Sequence, residues 1–394
     1  MKWLLIILLC LWATASQAQF FTPPIIFGKA SGGAACTTNG YSHCRQITFQ
    51  SAQVSGGPLS NFTALFLCTS NSDTNCNSVD LRGTGSGGFI QNTATFNGQT
   101  VPTDLIFTSD SGCTTTLNWE VASYTGGTGA IEVWILLPSL SGSSNTSIYM
   151  CYGNSGTTTY QGGAVGAAWD ANYKLVAHYP NGTSLSALDS TSHGNNGPNG
   201  GGANAATATA GKIGGGAAFS GTAYIDHPQS AISGATSATY SMWIKTTNTG
   251  RQFALGSGVG VCAENNFDSI ETYPAGGSYA IARGSTAAPN DAAHTTVDGN
   301  WHLLTAIYTP TTISIQVDNN SPVTSSGLSN SAIGSGATLE VGNLCTNFAS
   351  GTYGWQGSID EVELSNTARS SGWITTEYNN QSSLSTFITV GSQI

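Results

Sequence analysis

The sequence predicts an all-β protein built as two β-sandwich domains in tandem, and three observations predict it. Short apolar runs alternate with polar positions at the period of a strand, as in Ile131-Glu132-Val133-Trp134-Ile135 and Ile313-Ser314-Ile315-Gln316-Val317. Charged residues are only 8% of the chain while Gly numbers 50, a composition of strands joined by Gly/Asn/Ser turns rather than of Lys- and Glu-rich helices. The 394 residues exceed what one sandwich needs and suit two.

Taken in order, the chain opens on a segment with the pattern of a signal peptide, residues 1–18. Lys2 precedes an apolar run from Trp3 to Ala13, and Ser16-Gln17-Ala18 supplies small residues before Gln19. The run is short for a membrane span, and no later stretch is long and apolar enough for one. The expectation is a secreted protein, extracellular or at the cell surface. Residues 19–35, with Phe20-Phe21 and Ile25-Ile26-Phe27, read as an N-terminal arm. It either packs on the first domain or is donated as a strand to a neighbouring copy, which would give self-assembly.

The first domain is expected over residues 36–160. Ile47 and Phe49, Phe62 to Leu67, Leu105-Ile106-Phe107, Leu117 to Val121, Ile131 to Ile135 and Ile148 to Tyr152 follow one another at sandwich-like spacing. Thr125-Gly126-Gly127-Thr128-Gly129 is the turn between two of these strands. A Gly/Ala-rich linker at 161–171 leads to the second domain, 172–394. There strands are expected at Leu175-Val176-Ala177, Ala217-Ala218-Phe219, Tyr240 to Lys245, Trp301 to Ala306, Ile313 to Val317 and Leu339-Glu340-Val341. Asp318-Asn319-Asn320 reads as a hairpin turn that tolerates positive φ. The last strand runs through Ile359-Asp360-Glu361-Val362-Glu363-Leu364.

Nine cysteines become eight once Cys10 is removed with the leader, an even number that in a secreted chain reads as disulfides. Six in the first half allow 15 connectivities. Short loops favour Cys36–Cys44 and Cys68–Cys76, which leaves Cys113–Cys151, while Cys262 and Cys345 have only each other in the second half. Zinc competes for these residues, but no CxxC pair exists.

The order Gln46-Ile47-Thr48-Phe49, Asn61-Phe62, Asp104 to Phe107, Trp119-Glu120-Val121, Val133-Trp134-Ile135 and Ile148 to Asn154 resembles an extracellular sandwich domain of unknown function that often stands before a laminin-G-like domain. That resemblance implies no activity. The second half carries Asp189 to Gly197, Gly214 to Phe219 before Tyr224-Ile225, Tyr240-Ser241-Met242-Trp243 and Asp298-Gly299-Asn300-Trp301-His302. With these it resembles the laminin-G-like, concanavalin A-like lectin and glucanase superfamily, which implies a jelly roll for residues 172–394.

Three kinds of site follow. Glucanases of that superfamily carry Glu-x-Asp-x-x-Glu on one strand, but aligned on Asp360 this chain has Ser358 where the first Glu belongs, and Asp360 and Glu361, as sequence neighbours, should point to opposite faces. No enzyme is expected. The resemblance also implies a structural calcium between the Asp189 loop and the acidic strand, with Asp189, Asn196 and Asp360 as ligands, a set of oxygens that suits the ion. The bland alternative is an Asx-turn loop beside a solvated Asp. Third, Tyr273, Tyr279, Phe348, Tyr353 and Trp355 lie in or beside Gly-rich loops, where they either stack on sugar rings or cap the sandwich. Trp119, Trp134, Trp243 and Trp301 read as packing.

The six histidines are scattered, and no Gly-x-Ser-x-Gly elbow accompanies them. Ten basic against twenty acidic residues exclude a nucleic-acid footprint. The function expected is a secreted, non-catalytic protein that recognises an extracellular or cell-surface glycan or surface polymer. The alternative is a structural subunit of a surface appendage, filament or matrix, which low charge and the Phe20–Phe27 arm would favour.

Overall fold

The computed structural model describes residues 36–180, 184–198, 205–228, 233–258, 267–273, 277–281, 289–330, 332, 338–343 and 353–394. The expected signal peptide, the arm, Cys262, Cys345 and Phe348 lie outside them, as do the side chains of Cys36 and Tyr279.

The first sandwich places two sheets over one core. The strand Leu59–Cys68 pairs with Ala130–Leu140, which pairs with Trp119–Thr125. The facing sheet runs through His43–Phe49, Thr146–Tyr152 and Leu105–Thr108. Inward positions of both sheets supply Ile47, Phe66, Phe107, Trp119, Val133 and Ile148 to the core. Disulfides join Cys68 to Cys76 and Cys113 to Cys151. Cys44 is buried beside the second bridge, its Sγ 3.6 Å from that of Cys151.

The second sandwich sets a sheet containing Gly215–Ser220, Gln356–Ser365, Ala238–Lys245, His302–Tyr308 and Thr312–Val317 against one containing Ile225–Pro228, Thr338–Val341, Gln252–Gly258 and Phe267–Thr272. Tyr240, Met242, Leu255, Ile270, Ile315, Val341 and Trp355 share its core. At φ 53°, Asp318 makes the expected tight turn after Val317.

The expected boundary at 172 does not separate two self-contained units. After the second sandwich the chain returns to the first. Ser370 caps the helix Ser371–Ser382 by accepting a hydrogen bond from Trp373 N. Trp373 and Ile374 enter the core of the first sandwich, with Trp373 5.1 Å from the Phe62 ring. Asn380 covers the open edge of Leu59–Cys68: Leu65 N donates to its Oδ1 at 2.7 Å and its Nδ2 donates to Leu65 O. A side-chain amide thus does what a further strand would do for that edge. The final strand Ile388–Gln393 then pairs with His43–Phe49. Two buried side chains fix the crossing: Arg369 donates to both oxygens of Asp170 at 2.6 and 2.8 Å, between the rings of Tyr173 and Trp373.

Candidate functional site

The residues expected to share a calcium are each engaged by protein hydrogen-bond donors. Asp189 is buried and turned on its own loop: Oδ1 accepts from Val176 N and Thr191 N, and Oδ2 from Thr191 Oγ1 and Asn195 N. Asn196 Oδ1 accepts from Asp189 N at 2.7 Å. Asp360 accepts from the N–H groups of Lys212, Ile213 and Glu361. These oxygens face amide protons, the wrong polarity for a cation's neighbours, so the set does not fit a shared calcium. The Asx-turn alternative describes the loop better.

The aromatic candidates divide. Trp355 belongs to the core of the second sandwich and offers no surface to a sugar. Its backbone explains this: Trp355 N donates to Gly342 O and Trp355 O accepts from Gly221 N, which pins the residue between strands rather than in a loop. Tyr279 stands opposite Glu271 on the strand Ser278–Ile281. Tyr273 is exposed and Tyr353 half-buried, and the two meet around Arg251. The Arg251 guanidinium carbon lies 5.6 Å from the Tyr273 ring, 5.4 Å from that of Tyr353 and 5.0 Å from that of Phe253, distances of cation–π contact. Glu271, buried beneath, accepts from Arg251 Nε at 2.5 Å. Burial pushes the Glu271 carboxyl up while Arg251 draws it down. Arg251 is absent from the expectations; a lone basic residue after Gly250 gives no periodic signal.

A second constellation went unforeseen altogether. A cleft opens between the two sandwiches, lined among others by Phe96, Gln99, Glu120, His178, Leu188 and Ser190. At its base His178 Nδ1 lies 2.6 Å from Glu361 Oε2, and His178 Nε2 lies 3.4 Å from Glu120 Oε1. Ser190 Oγ donates to Glu120 Oε1, and Trp169 Nε1 donates to Oε2 at 2.8 Å. The imidazole is stacked on Trp134, ring centres 5.2 Å apart. Glu132, buried behind it, accepts from Trp134 Nε1 and Ser123 Oγ. Burial opposes the His178 imidazolium, but Glu361 and Glu120 outweigh it and hold the ring well above its ordinary range. Burial pushes Glu361 up to about 8 against the pull of His178.

Glu361 reaches this site because the strand breaks its period. Opposite Ala238–Lys245 the register slips between Ser241↔Glu363 and Trp243↔Asp360, a bulge, and Glu361 sits there at φ 50°. The expected opposition of Asp360 and Glu361 therefore fails: both carboxyls are buried and both feel Glu132. A non-glycine residue in the left-handed region costs on the order of 1–3 kcal/mol, which the surrounding packing must offset.

Comparisons with known proteins bear on the fold. Residues 219–375 match the family described as the concanavalin A-like lectin/glucanases superfamily, and residues 102–176 match a domain of unknown function, DUF2341. No curated protein matches the chain. Among solved structures, domain 4 of an extracellular arabinanase from Geobacillus stearothermophilus, in complex with arabinotriose, aligns at 20% identity over 53% of this chain and 99% of that one, TM-score 0.40. A Trypanosoma rangeli sialidase aligns at 13% identity over 67% and 44%, TM-score 0.40. A heptameric SAP-like pentraxin from Limulus polyphemus aligns at 13% over 38% and 70%, TM-score 0.31. At such identities and scores they say nothing of what this chain binds. The C-terminal sandwich carries a concanavalin A-like superfamily domain, and the domain of unknown function precedes it.

Proposed function

We propose that this is a secreted, non-catalytic glycan-binding protein, and that Tyr273 and Tyr353 around Arg251 form the face that meets the sugar. One observation carries the reading: two tyrosines of the second sandwich, 80 residues apart in sequence, converge on one guanidinium that a buried carboxylate holds in place. Tyrosine rings offer flat apolar surface to the C–H face of a pyranose, and their hydroxyls serve its rim. A guanidinium fixed through Nε presents its remaining N–H groups to ring hydroxyls or to the carboxylate of an acidic sugar. Its rigidity lowers the entropy lost on binding. The superfamily supplies a scaffold compatible with sugar recognition but does not dictate it. The leader-like first 18 residues and the two disulfides support an extracellular setting. Among the described residues no helix is long and apolar enough to cross a membrane.

A glycan array probed with the mature protein tests the reading, with Arg251→Gln and Tyr273→Ala as companions. Binding to a defined glycan set that falls at least about tenfold in both variants, as expected for loss of roughly 1.4 kcal/mol or more, supports it. Binding unchanged in both variants, or release of reducing sugar by the wild type, refutes it.

A further inference from the structure

We propose that the acidic pocket between the two sandwiches is a binding site for one divalent first-row metal ion, of the zinc or manganese class, held by Glu132, His178 and Glu361. The three residues each offer a ligand atom within 4.8 Å of the other two, and all three are buried. A bound ion at bond lengths of about 2.0–2.2 Å needs ligand atoms roughly 3–4 Å apart, so the present arrangement closes on a cation by small side-chain adjustments.

Crowding of acids alone would not establish a site; an unused, buried carboxylate lone pair does. Among the described residues Glu361 Oε1 has no hydrogen-bond partner although Glu361 is 1% exposed, and His178 Nε2 has only the Glu120 carboxylate, 3.4 Å away. Native proteins rarely leave such an oxygen idle, because it costs the desolvation penalty of the group. Glu132 is oriented without being saturated, through hydrogen bonds of 3.2 and 3.4 Å from Trp134 Nε1 and Ser123 Oγ. Donors of this sort are what hold a ligating carboxylate in position.

Glu120 and Glu361 face the one imidazole, and Glu132 lies in the same cluster. One nitrogen among carboxylate oxygens suits zinc or manganese better than calcium, which takes all-oxygen sets. Glu120, on the cleft side of His178, would stand as the outer carboxylate, where solvent or a ligand oxygen could complete the coordination. Because Glu132 comes from the first sandwich while His178 and Glu361 come from the second, the ion would also tie the two together.

The test uses the full mature chain, stripped with a chelator and dialysed against Zn(II), Mn(II) or Ca(II) at micromolar concentration, with metal content read by mass spectrometry. The expected result is about one equivalent of Zn(II) or Mn(II), little Ca(II), and a melting temperature raised by the retained metal, since a ligand of the folded state alone stabilises it. Glu361→Gln and Glu132→Gln should each lower retention at least about tenfold. The second variant, which leaves the bulge untouched, serves if the first fails to fold by near-ultraviolet circular dichroism. Co(II) in place of zinc should give visible d–d bands that either variant abolishes. Retention below about 0.1 equivalent by the wild type overturns the proposal, leaving a proton-neutralised ion-pair cluster. Retention unaffected by both variants overturns it equally, because the metal then sits elsewhere.

Discussion

Arg369→Ala should strongly destabilise this protein. The Arg369 and Asp170 side chains are 7% and 9% exposed and joined by two hydrogen bonds of 2.6 and 2.8 Å. Truncating the arginine leaves a desolvated carboxylate with only Asn172 N as donor, a change that costs about 3–5 kcal/mol when a buried pair is broken. It also empties the space between Tyr173 and Trp373, whose rings lie 4.5 and 4.2 Å from the guanidinium carbon. The physical argument predicts more than a single number. If the penalty is an orphaned charge, Asp170→Asn combined with Arg369→Met should recover much of it: the amide keeps its acceptor for Asn172 N, and the thioether refills the gap. Urea unfolding followed by tryptophan fluorescence measures the four corners of the cycle. A coupling of about 2 kcal/mol or more between the two positions is expected. A loss under about 1 kcal/mol for Arg369→Ala, or a double variant as unstable as the sum of the singles, refutes the reasoning. Arg369 stands where the chain leaves the second sandwich and Asp170 where it enters, so the pair closes the crossing at both ends.

Other expectations rest on separate features. Trp355→Ala should lose about 3–5 kcal/mol by emptying a fully buried site, whereas Tyr273→Ala, at an exposed residue, should stay within about 0.5 kcal/mol; thermal melts of the two side by side distinguish core from face. The bridges should differ with the loops they close: at sequence separations of 38 and 8, chain entropy predicts losses of about 4 kcal/mol for replacing Cys113 and Cys151 by serine, and about 2.5 kcal/mol for Cys68 and Cys76. Equal losses would mean that local packing outweighs loop closure. His302 lies 2.8 Å from Asp318 and 3.1 Å from Asp298, and Asp318 chiefly holds its imidazolium above the ordinary range against burial. A raised folded value gives stability that is whole below about pH 6.5 and is lost as pH rises through that value. The melting-temperature gap between wild type and His302→Gln should therefore be largest in mild acid and close in alkali; a gap that ignores pH between about 5.5 and 9 would discard the ion pair.

What the sequence made legible is what repeats locally. Strands such as Ile131 to Ile135 and Ile313 to Val317 announce themselves because each alternation reports a face, and the all-β architecture follows from adding such segments. What it hid depends on exceptions to the period. The apolar positions of Ser371–Ser382 are Trp373, Ile374 and Tyr378, too few for a helical stripe; the signal was the Ser370 cap, and the docking of Asn380 on the Leu59–Cys68 edge is a long-range fact that no local window holds. Trp355 looked like a loop aromatic because it stands among glycines, although it stands immediately before a ten-residue strand.

The acidic pocket shows the same limit most sharply. Strict alternation assigns Asp360 and Glu361 to opposite faces, and every inference from that strand inherits the assignment. One residue at φ 50° cancels it. The bulge has no sequence mark, since Glu is not a residue that favours the left-handed region, so the conformation is imposed from outside. The constraint is visible: Glu361 N is bonded to Asp360 Oδ1, and its carboxylate to His178, 183 residues away. A strained backbone that delivers a carboxylate to a buried imidazole is maintained only if what gathers there repays it. Substituting Glu361 by Gly would separate the two contributions: relief of the strain alone should stabilise the fold, whereas loss of the buried ion pair should cost about 3–5 kcal/mol. If the pocket holds the two sandwiches together, the loss dominates and the variant melts below the wild type; a variant that melts higher would mean that the bulge serves the site at the fold's expense.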